Sequence, residues 1–227
     1  MDFTPAAIFD MDGVLIDSYH AHYRSWLEIA AAVGKYFSES DFAAAFGRTS
    51  REIIAHFWGE GVCDDACTAA MDARKEAAFR RLLEHDFPAM PGARELLESL
   101  AADGFRLGLG SSGPPENVAL VLEKLAVRKL FSAVVTGADV TRGKPDPQVF
   151  LLTAERLSVQ PAHCVVIEDA PAGLTAARRA GMCCIGLAST GRTRDDLAAA
   201  DLVADSLHEL SPALLRRLLI QKAEGKK

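Results

Sequence analysis

Two aspartates stand one residue apart, directly after a short apolar run near the start of the chain. Residues 6–9 are apolar and predict a buried strand, and Asp10 and Asp12 follow it. Like-charged carboxylates this close repel each other unless a cation or a shared proton compensates their charge. The pair is therefore interpreted either as a Mg²⁺ site with a carboxylate nucleophile or as an acidic turn that caps the next helix.

Three later apolar runs, each predicted to be a strand, are also followed by polar residues: Ser111 and Ser112 after 105–109, Lys144 in the loop after 133–136, and Glu168 and Asp169 after 164–167. Each group also has an ordinary structural explanation. The serine could be the N-cap of a helix, the lysine a solvated loop residue, and the acid a helix cap. Considered as one set, however, the carboxylates supply the oxygen ligands that Mg²⁺ prefers, and the hydroxyl and the lysine can bind a phosphoryl group. The set matches the needs of phosphoryl transfer.

Alternation of strands and helices predicts how these residues are positioned. After residue 91 the pattern predicts helices at 92–102, 115–125, 147–157, 171–180 and 211–222, and strands at 105–109, 133–136, 164–167, 182–187 and 202–203. Such alternation is typical of an α/β fold, a Rossmann-like parallel sheet with helices on both faces. Ligands bind such sheets beyond the carboxyl ends of the strands, where the polar residues stand.

The region between the first strand and residue 88 has a different pattern. Apolar residues recur at helical spacing over 19–33, 38–46, 50–58 and 64–84, and no strand is predicted there. We therefore predict an all-α cap domain at 17–88, inserted into a catalytic core formed by 1–16 and 89–227. An insertion directly after the two aspartates could close over the site as a lid.

Composition limits the classes of partner. A formal net charge of −6 argues against a nucleic-acid partner, and no apolar run reaches the roughly 18 residues of a membrane span. Because no signal peptide is visible, a cytoplasmic protein is expected. It is also expected to be a monomer and to bind a small phosphorylated substrate. All five cysteines, including Cys63 and Cys67, are expected to be thiols in a reducing compartment.

The four motifs together resemble those of the haloacid dehalogenase superfamily of phosphotransferases, in the subgroup of β-phosphoglucomutase and small sugar-phosphate phosphatases. They are Asp10-Met11-Asp12-Gly13-Val14-Leu15-Ile16-Asp17-Ser18, Leu109-Gly110-Ser111-Ser112, Gly143-Lys144-Pro145-Asp146-Pro147, and Val166-Ile167-Glu168-Asp169-Ala170-Pro171-Ala172-Gly173-Leu174. The resemblance covers nearly the whole chain. True dehalogenases of this type lack the second aspartate, so the presence of Asp12 disfavours dehalogenation.

The resemblance implies a role for each core residue. Asp10 is expected to be the nucleophile and a Mg²⁺ ligand, and Asp12 the acid/base, which ligates the metal through its backbone carbonyl. Ser111 and Lys144, with Ser112 beside them, are expected to hold the phosphoryl group. Asp169 is expected to bind Mg²⁺, and Glu168 to bind it or to support a ligand.

The resemblance also implies substrate contacts from the cap. In the mutase, a glycine-led cap loop presents an arginine to the second phosphate of the substrate. Arg51 matches that position best, and Arg48 is the alternative. His22 matches a histidine at the hinge of the cap, and Lys75 is a weaker match. The alternative for these residues is a solvated helix surface.

The predicted function is therefore a Mg²⁺-dependent phosphomonoester hydrolase that acts on a small, sugar-phosphate-like metabolite through an aspartyl phosphate. One alternative is a phosphosugar mutase of the β-phosphoglucomutase type, in which a sugar hydroxyl replaces water as acceptor. An alternative from another class is a non-catalytic phospho-receiver-like or binding protein. Steady-state turnover distinguishes this last alternative from an enzyme.

Overall fold

The computed structural model describes residues 3–46, 50–59 and 63–225. Its contacts divide the chain into two compact units, with divisions between Asp17 and Ser18 and between Pro88 and Ala89. We call Ser18–Pro88 the insert and the remainder the sheet unit. These divisions lie within one residue of the predicted limits of the cap domain.

The sheet unit contains one six-stranded sheet in which every neighbouring pair is parallel. Its strands are β1 (Ala6–Phe9), β2 (Arg106–Gly110), β3 (Phe131–Val135), β4 (Cys164–Glu168), β5 (Cys183–Leu187) and β6 (Leu202–Ala204). They lie in the order β3-β2-β1-β4-β5-β6. This order confirms the predicted Rossmann-like α/β fold, in which the strand order reverses between β1 and β4.

The helices lie close to their predicted positions. They are α1 (Tyr19–Ala32), α2 (Glu39–Ala45), α3 (Ser50–Trp58) and α4 (Asp65–His85) in the insert, and α5 (Ala93–Ala102), α6 (Pro115–Lys124), α7 (Gln148–Leu157), α8 (Pro171–Arg179) and α9 (Pro212–Glu224) in the sheet unit. Short 3₁₀ turns cover Arg128–Leu130, Gly137–Asp139, Pro161–His163 and Leu207–Glu209. No helix in the described ranges is long and apolar enough to cross a membrane.

Burial explains why the central strands are apolar throughout. Every residue of β1, β4 and β5 is buried, as expected for parallel strands covered on both faces. Helices α7 and α8 pack on one face, where Ile8 and Val166 meet Phe150 and Leu174 in one apolar cluster. The sheet edge that carries the polar motifs therefore rests on a rigid core.

The insert has an aromatic core of its own. Rings from α1, α2 and α3 meet there: Trp26 and Trp58 lie 6.0 Å apart between centroids, and Tyr19 and Phe42 lie 5.0 Å apart. Ser38 caps α2 and Asp64 caps α4 through their side chains. The apolar residues that recur at helical spacing in this region thus pack against one another within the insert.

The expectation of five thiols is wrong for two cysteines. Cys63 and Cys67 are joined by a disulfide. Cys63 lies before the N-cap Asp64 and not on the helix, so the chain bends and brings the two Cα atoms to 5.3 Å, within the normal range for a disulfide. The other three, Cys164, Cys183 and Cys184, are buried thiols as expected.

Candidate active site

The candidate site begins at the carboxyl ends of β1 and β4, the neighbouring strands between which the order reverses. Asp10 follows β1, and its backbone N–H donates to the carbonyl of Ile167 at 3.0 Å. Glu168, expected just after the strand, is the last residue of β4, with Asp169 directly after it. Pairing of the two strands therefore brings carboxylates together from distant parts of the sequence.

Lys144 lies between two of these carboxylates. Its ammonium Nζ donates to Asp10 Oδ1 at 2.7 Å and to Glu168 Oε1 at 2.6 Å. The three side chains are at most 10% exposed, and Nζ lies 4.9 Å from the centre of the buried Phe150 ring. The predicted phosphate-binding lysine thus lies directly beside the predicted nucleophile.

The loop that carries Lys144 is held by side chains that the motif analysis did not assign. The amide oxygen of Gln148 accepts from the backbone N–H groups of Thr141 and Arg142, both at 3.0 Å. Arg179 on α8 donates to the carbonyl of Pro145 at 3.0 Å, and the Lys144–Pro145 peptide bond is cis. These contacts fix the backbone on both sides of the lysine.

The charges of this cluster are strongly coupled. Burial, together with the neighbouring charges of Glu168 and Asp12, raises the pKa of Asp10 from 3.8 to about 7 although Lys144 opposes the shift. Burial alone would lower the pKa of Lys144, but the charges of Asp10 and Glu168 outweigh it and raise that pKa. One ammonium group therefore does not compensate the acids around it.

Asp10, Glu168 and Asp169 can hold a metal ion. Each offers a carboxylate oxygen, these oxygens lie within 4.8 Å of one another, and all three residues are buried. Burial and the charges of Glu168 and Asp10 raise the pKa of Asp169 well above its usual value. Such a set of hard oxygen donors with excess negative charge suits a divalent cation. The side chain of Asp12 is not part of this set.

Two glycines allow the carboxylates to lie close to the backbone. Gly13 has a φ of +72°, and a Cβ atom there would overlap the carboxylate of Asp169. A Cβ atom on Gly173 of α8 would overlap the carboxylate of Glu168 in the same way. Both positions therefore require glycine, a role that the motif pattern did not reveal.

The serine loop after β2 lies near Asp12. Ser111 is 1% exposed, its N–H donates to the carbonyl of Val135 at 3.0 Å, and its hydroxyl accepts from the N–H of Gly113 at 3.0 Å. A Cβ atom on Gly113 would lie 3.3 Å from Ser111 Oγ and 3.9 Å from Asp12 Oδ2. Ser112, the neighbouring predicted residue, is exposed.

Two of the predicted cap residues lie together within the insert. Lys75 Nζ lies 2.9 Å from His22 Nδ1 and donates to Glu76 Oε1 at 2.7 Å. The His22 ring stacks on Phe79 with centroids 4.1 Å apart. Lys75 is 5% exposed, so it is not the solvated helix lysine of the alternative interpretation.

The two candidate arginines differ from this pair. Arg51 forms an exposed ion pair with Asp65 at the start of α4. Arg48 lies outside the described residues. Neither arginine is therefore brought to His22 and Lys75 by the contacts that the structure describes.

Sequence reasoning missed the loop that follows β5. Ser189 Oγ donates to Asp169 Oδ2 at 3.4 Å, and Arg192 Nε lies 4.0 Å from the same oxygen. The missed signal was topological: β5 pairs in parallel with β4, so the loop after it must lie at the edge that carries Asp169.

Comparison with known proteins gives consistent matches. The model of the haloacid dehalogenase-like hydrolase family matches residues 4–181. The chain is 36% identical over 211 residues to validoxylamine A 7'-phosphate phosphatase of Streptomyces hygroscopicus subsp. limoneus, covering 90% of this chain and 94% of the relative. It is 33% identical over 217 residues to β-phosphoglucomutase of Bacillus subtilis, covering 92% and 93%. The crystal structure of β-phosphoglucomutase from Clostridium difficile superposes with a TM-score of 0.86 at 26% identity, covering 96% and 98%.

Proposed function

Because the chain belongs to the haloacid dehalogenase-like hydrolase family, we propose that it hydrolyses phosphate monoesters of a small, sugar-like metabolite with the help of Mg²⁺. The membership confirms the resemblance predicted from the four motifs. The observation that carries the proposal is the position of Lys144, whose ammonium group touches both Asp10 and Glu168. This arrangement pairs a carboxylate nucleophile with a cation that can receive phosphoryl oxygens.

In the proposed first half-reaction, a carboxylate oxygen of Asp10 attacks the phosphorus atom of the substrate. The bond between phosphorus and the ester oxygen breaks, and Asp12 gives its proton to that leaving oxygen. The products of this step are the free alcohol and an aspartyl phosphate on residue 10. Lys144 and the hydroxyl of Ser111 stabilise the charge on the equatorial oxygens.

In the second half-reaction, water attacks the phosphorus atom of the aspartyl phosphate. Asp12, now a carboxylate, accepts the proton of the water, and the bond from phosphorus to Asp10 breaks. Inorganic phosphate leaves and both aspartates return to their starting states. Asp12 thus acts first as acid and then as base, which requires that it remain accessible to the reacting oxygens. Asp12 is partly exposed, unlike the buried Asp10.

Asp10, Glu168 and Asp169 would hold the Mg²⁺ ion, with the backbone carbonyl of Asp12 as the further ligand implied by the family. When bound, the ion neutralises phosphoryl oxygens and relieves repulsion between phosphate and carboxylates. The raised pKa values of Asp10 and Asp169 support a cation here, because burial first and the neighbouring carboxylates second make their charged forms costly, and Lys144 alone does not offset that cost.

The insert is proposed to select the substrate. His22, Lys75 and Arg51 are its candidate contacts to the non-reacting part of the metabolite, and Ser112 is a further candidate on the sheet unit. The names of two relatives support this class of substrate: a phosphatase of validoxylamine A 7'-phosphate supports a phosphate monoester, and a phosphoglucomutase supports a sugar phosphate.

A phosphosugar mutase is the second candidate. In a mutase a sugar hydroxyl, not water, accepts the phosphoryl group from Asp10. His22 and Lys75, which lie 2.9 Å apart, are two residues that the resemblance to the mutase cap implies. The identity to β-phosphoglucomutase of B. subtilis supports this candidate.

A panel of phosphorylated metabolites tests both candidates. Hexose, pentose and polyol monophosphates are incubated with the protein and Mg²⁺, and released phosphate is measured. Glucose 1-phosphate is included with and without a bisphosphate primer, and its isomerisation is followed separately. Phosphate release at steady state supports the phosphatase, and primer-dependent isomerisation supports the mutase. The absence of both reactions on every substrate would contradict the proposed function.

A further inference from the structure

A four-residue turn after β5 contacts two acidic residues of the predicted motifs. The turn runs from Ser189 to Arg192 and is closed by a hydrogen bond from the N–H of Arg192 to the carbonyl of Ser189 at 3.0 Å. Gly191, its third residue, has a φ of +81°, as a tight turn of this type requires. The backbone of the turn therefore has a defined conformation.

Two side chains of the turn converge on one oxygen of Asp169. The hydroxyl of Ser189 donates to Oδ2 at 3.4 Å, and Nε of Arg192 lies 4.0 Å from that oxygen. The side chain of Arg192 is 14% exposed and that of Asp169 is 6% exposed. Burying an arginine is costly unless a nearby charge compensates it, so its position beside Asp169 has an electrostatic reason.

The third polar side chain fixes the turn to the first motif. Thr190 Oγ1 donates to Asp17 Oδ2 at 2.6 Å. Asp17 is the last residue of the sheet unit before the insert. The turn is thus anchored at one side while Ser189 and Arg192 contact Asp169 at the other.

We propose that Arg192 and Ser189 are positioning residues that orient the Asp169 carboxylate for the metal ion. This inference rests on the proposed Mg²⁺-dependent function. The Ser189 hydroxyl donates to Oδ2 and the positive charge of Arg192 lies 4.0 Å from the same oxygen, so both favour one orientation of the carboxylate before the metal arrives. Neither residue touches the reacting atoms in this account.

Removal of such a supporting contact is expected to weaken metal binding. Groups that orient metal ligands typically change metal affinity by about 10–100-fold when they are removed. We expect Arg192→Gln to raise the Mg²⁺ dissociation constant by roughly tenfold or more, and Ser189→Ala by a smaller factor because it removes one longer, uncharged contact. Arg192→Lys keeps a cation in reach and is expected to restore most of the affinity.

The test measures Mg²⁺ binding directly, by calorimetry and by the Mg²⁺-dependent rise in the unfolding midpoint. Arg194→Gln is the matched control, because Arg194 lies two residues away and pairs instead with Asp205 at 2.8 Å, with a side chain 55% exposed. Its dissociation constant should stay within about twofold of the wild type. If Arg192→Gln fails to fold, Ser189→Ala is the variant expected to lose affinity, and Arg192→Lys is the variant expected to keep most of it.

An Mg²⁺ affinity of Arg192→Gln equal to or tighter than that of the wild type would overturn the proposal. A loss shared equally by Arg194→Gln would also overturn it, because that loss would be a general effect of the loop. The two proposals fail separately. Wild-type protein that binds Mg²⁺ but releases no phosphate contradicts the function alone. Active wild-type protein with unchanged Mg²⁺ affinity in the folded variant contradicts the positioning role alone.

Discussion

The sheet unit and the insert differ in how their chemistry-bearing residues are brought together. In the sheet unit, residues from four distant segments meet at one edge, and Lys144 reaches Asp10 across 134 residues of sequence. In the insert, the candidates lie on separate helices: His22 contacts the buried Lys75, whereas the exposed Arg51 pairs with Asp65. The loops that follow parallel strands all lie at the same edge of the sheet, whereas residues on different helices are not brought to a common place by the helices themselves. We therefore expect the reaction to depend on the sheet unit and substrate choice on the insert.

The largest effect is expected from Asp10→Asn. The amide cannot attack phosphorus, so phosphate release should fall by roughly 10³-fold or more on every substrate. The fold should persist, because Lys144 keeps its ion pair with Glu168. Asp103→Asn is the control, since Asp103 is a half-exposed aspartate of the same unit that pairs with Arg216. Retained turnover in Asp10→Asn would break the assignment of the chemistry to this edge.

Asp12→Ala should separate substrates by their leaving group. Loss of a general acid costs roughly 10²–10⁴-fold where the leaving oxygen needs a proton. We expect a loss of this size in kcat on sugar phosphates and a much smaller loss on p-nitrophenyl phosphate, whose leaving group is stable as an anion. Equal losses on both substrates would contradict the acid role and leave Asp12 as a structural acid.

The difference between the units also explains what the sequence could predict. Residues such as Ser111, Lys144 and Glu168 were identified because each follows an apolar run, and a parallel sheet brings such positions together. Ser189 and Arg192 also follow a strand, but they lie in none of the four motifs. The pairing of Arg51 with Asp65 and the Cys63–Cys67 disulfide depend on how helix ends approach one another, and apolar periodicity does not encode that approach.

The stability of the metal-free protein should depend on pH through the buried acids. The pKa of Asp10 is about 7 in the folded protein, compared with its ordinary value of 3.8, which applies to the unfolded chain. At pH values between these two, the folded protein therefore binds more protons than the unfolded chain. Stability should therefore fall as the pH rises from about 4 to about 7. The change is expected to be of the order of a few kcal/mol.

Urea unfolding at several pH values measures this slope. Asp10→Asn should reduce it, because the variant has no proton to lose at this position, and saturating Mg²⁺ should reduce it in the wild type. A metal-free protein that gains stability over this pH range would contradict the account of an uncompensated acidic cluster. The insert offers a contrast, since its exposed pair Arg51–Asp65 should contribute little to the slope.

The smallest effect is expected from the insert. Arg51→Ala should raise KM by about fivefold or less for substrates with a remote anionic group and leave kcat unchanged, because exposed ion pairs contribute about 1 kcal/mol at most. Asp65→Asn removes the partner that competes for Arg51 and should lower KM for the same substrates. Arg81→Ala is the control, since Arg81 is a similarly exposed arginine of the insert, paired with Glu28. An equal effect of Arg51→Ala on all substrates would contradict its role in substrate choice.

Asp10 is proposed to carry the phosphoryl group during turnover. Rapid acid quenching of the wild type and of Asp12→Ala during turnover, followed by mass spectrometry of peptides, tests it directly. We expect one added phosphoryl group on the peptide that contains residue 10, and none on that peptide in Asp10→Asn. Phosphate release by the wild type with no adduct on this peptide, together with turnover by Asp10→Asn, would contradict it.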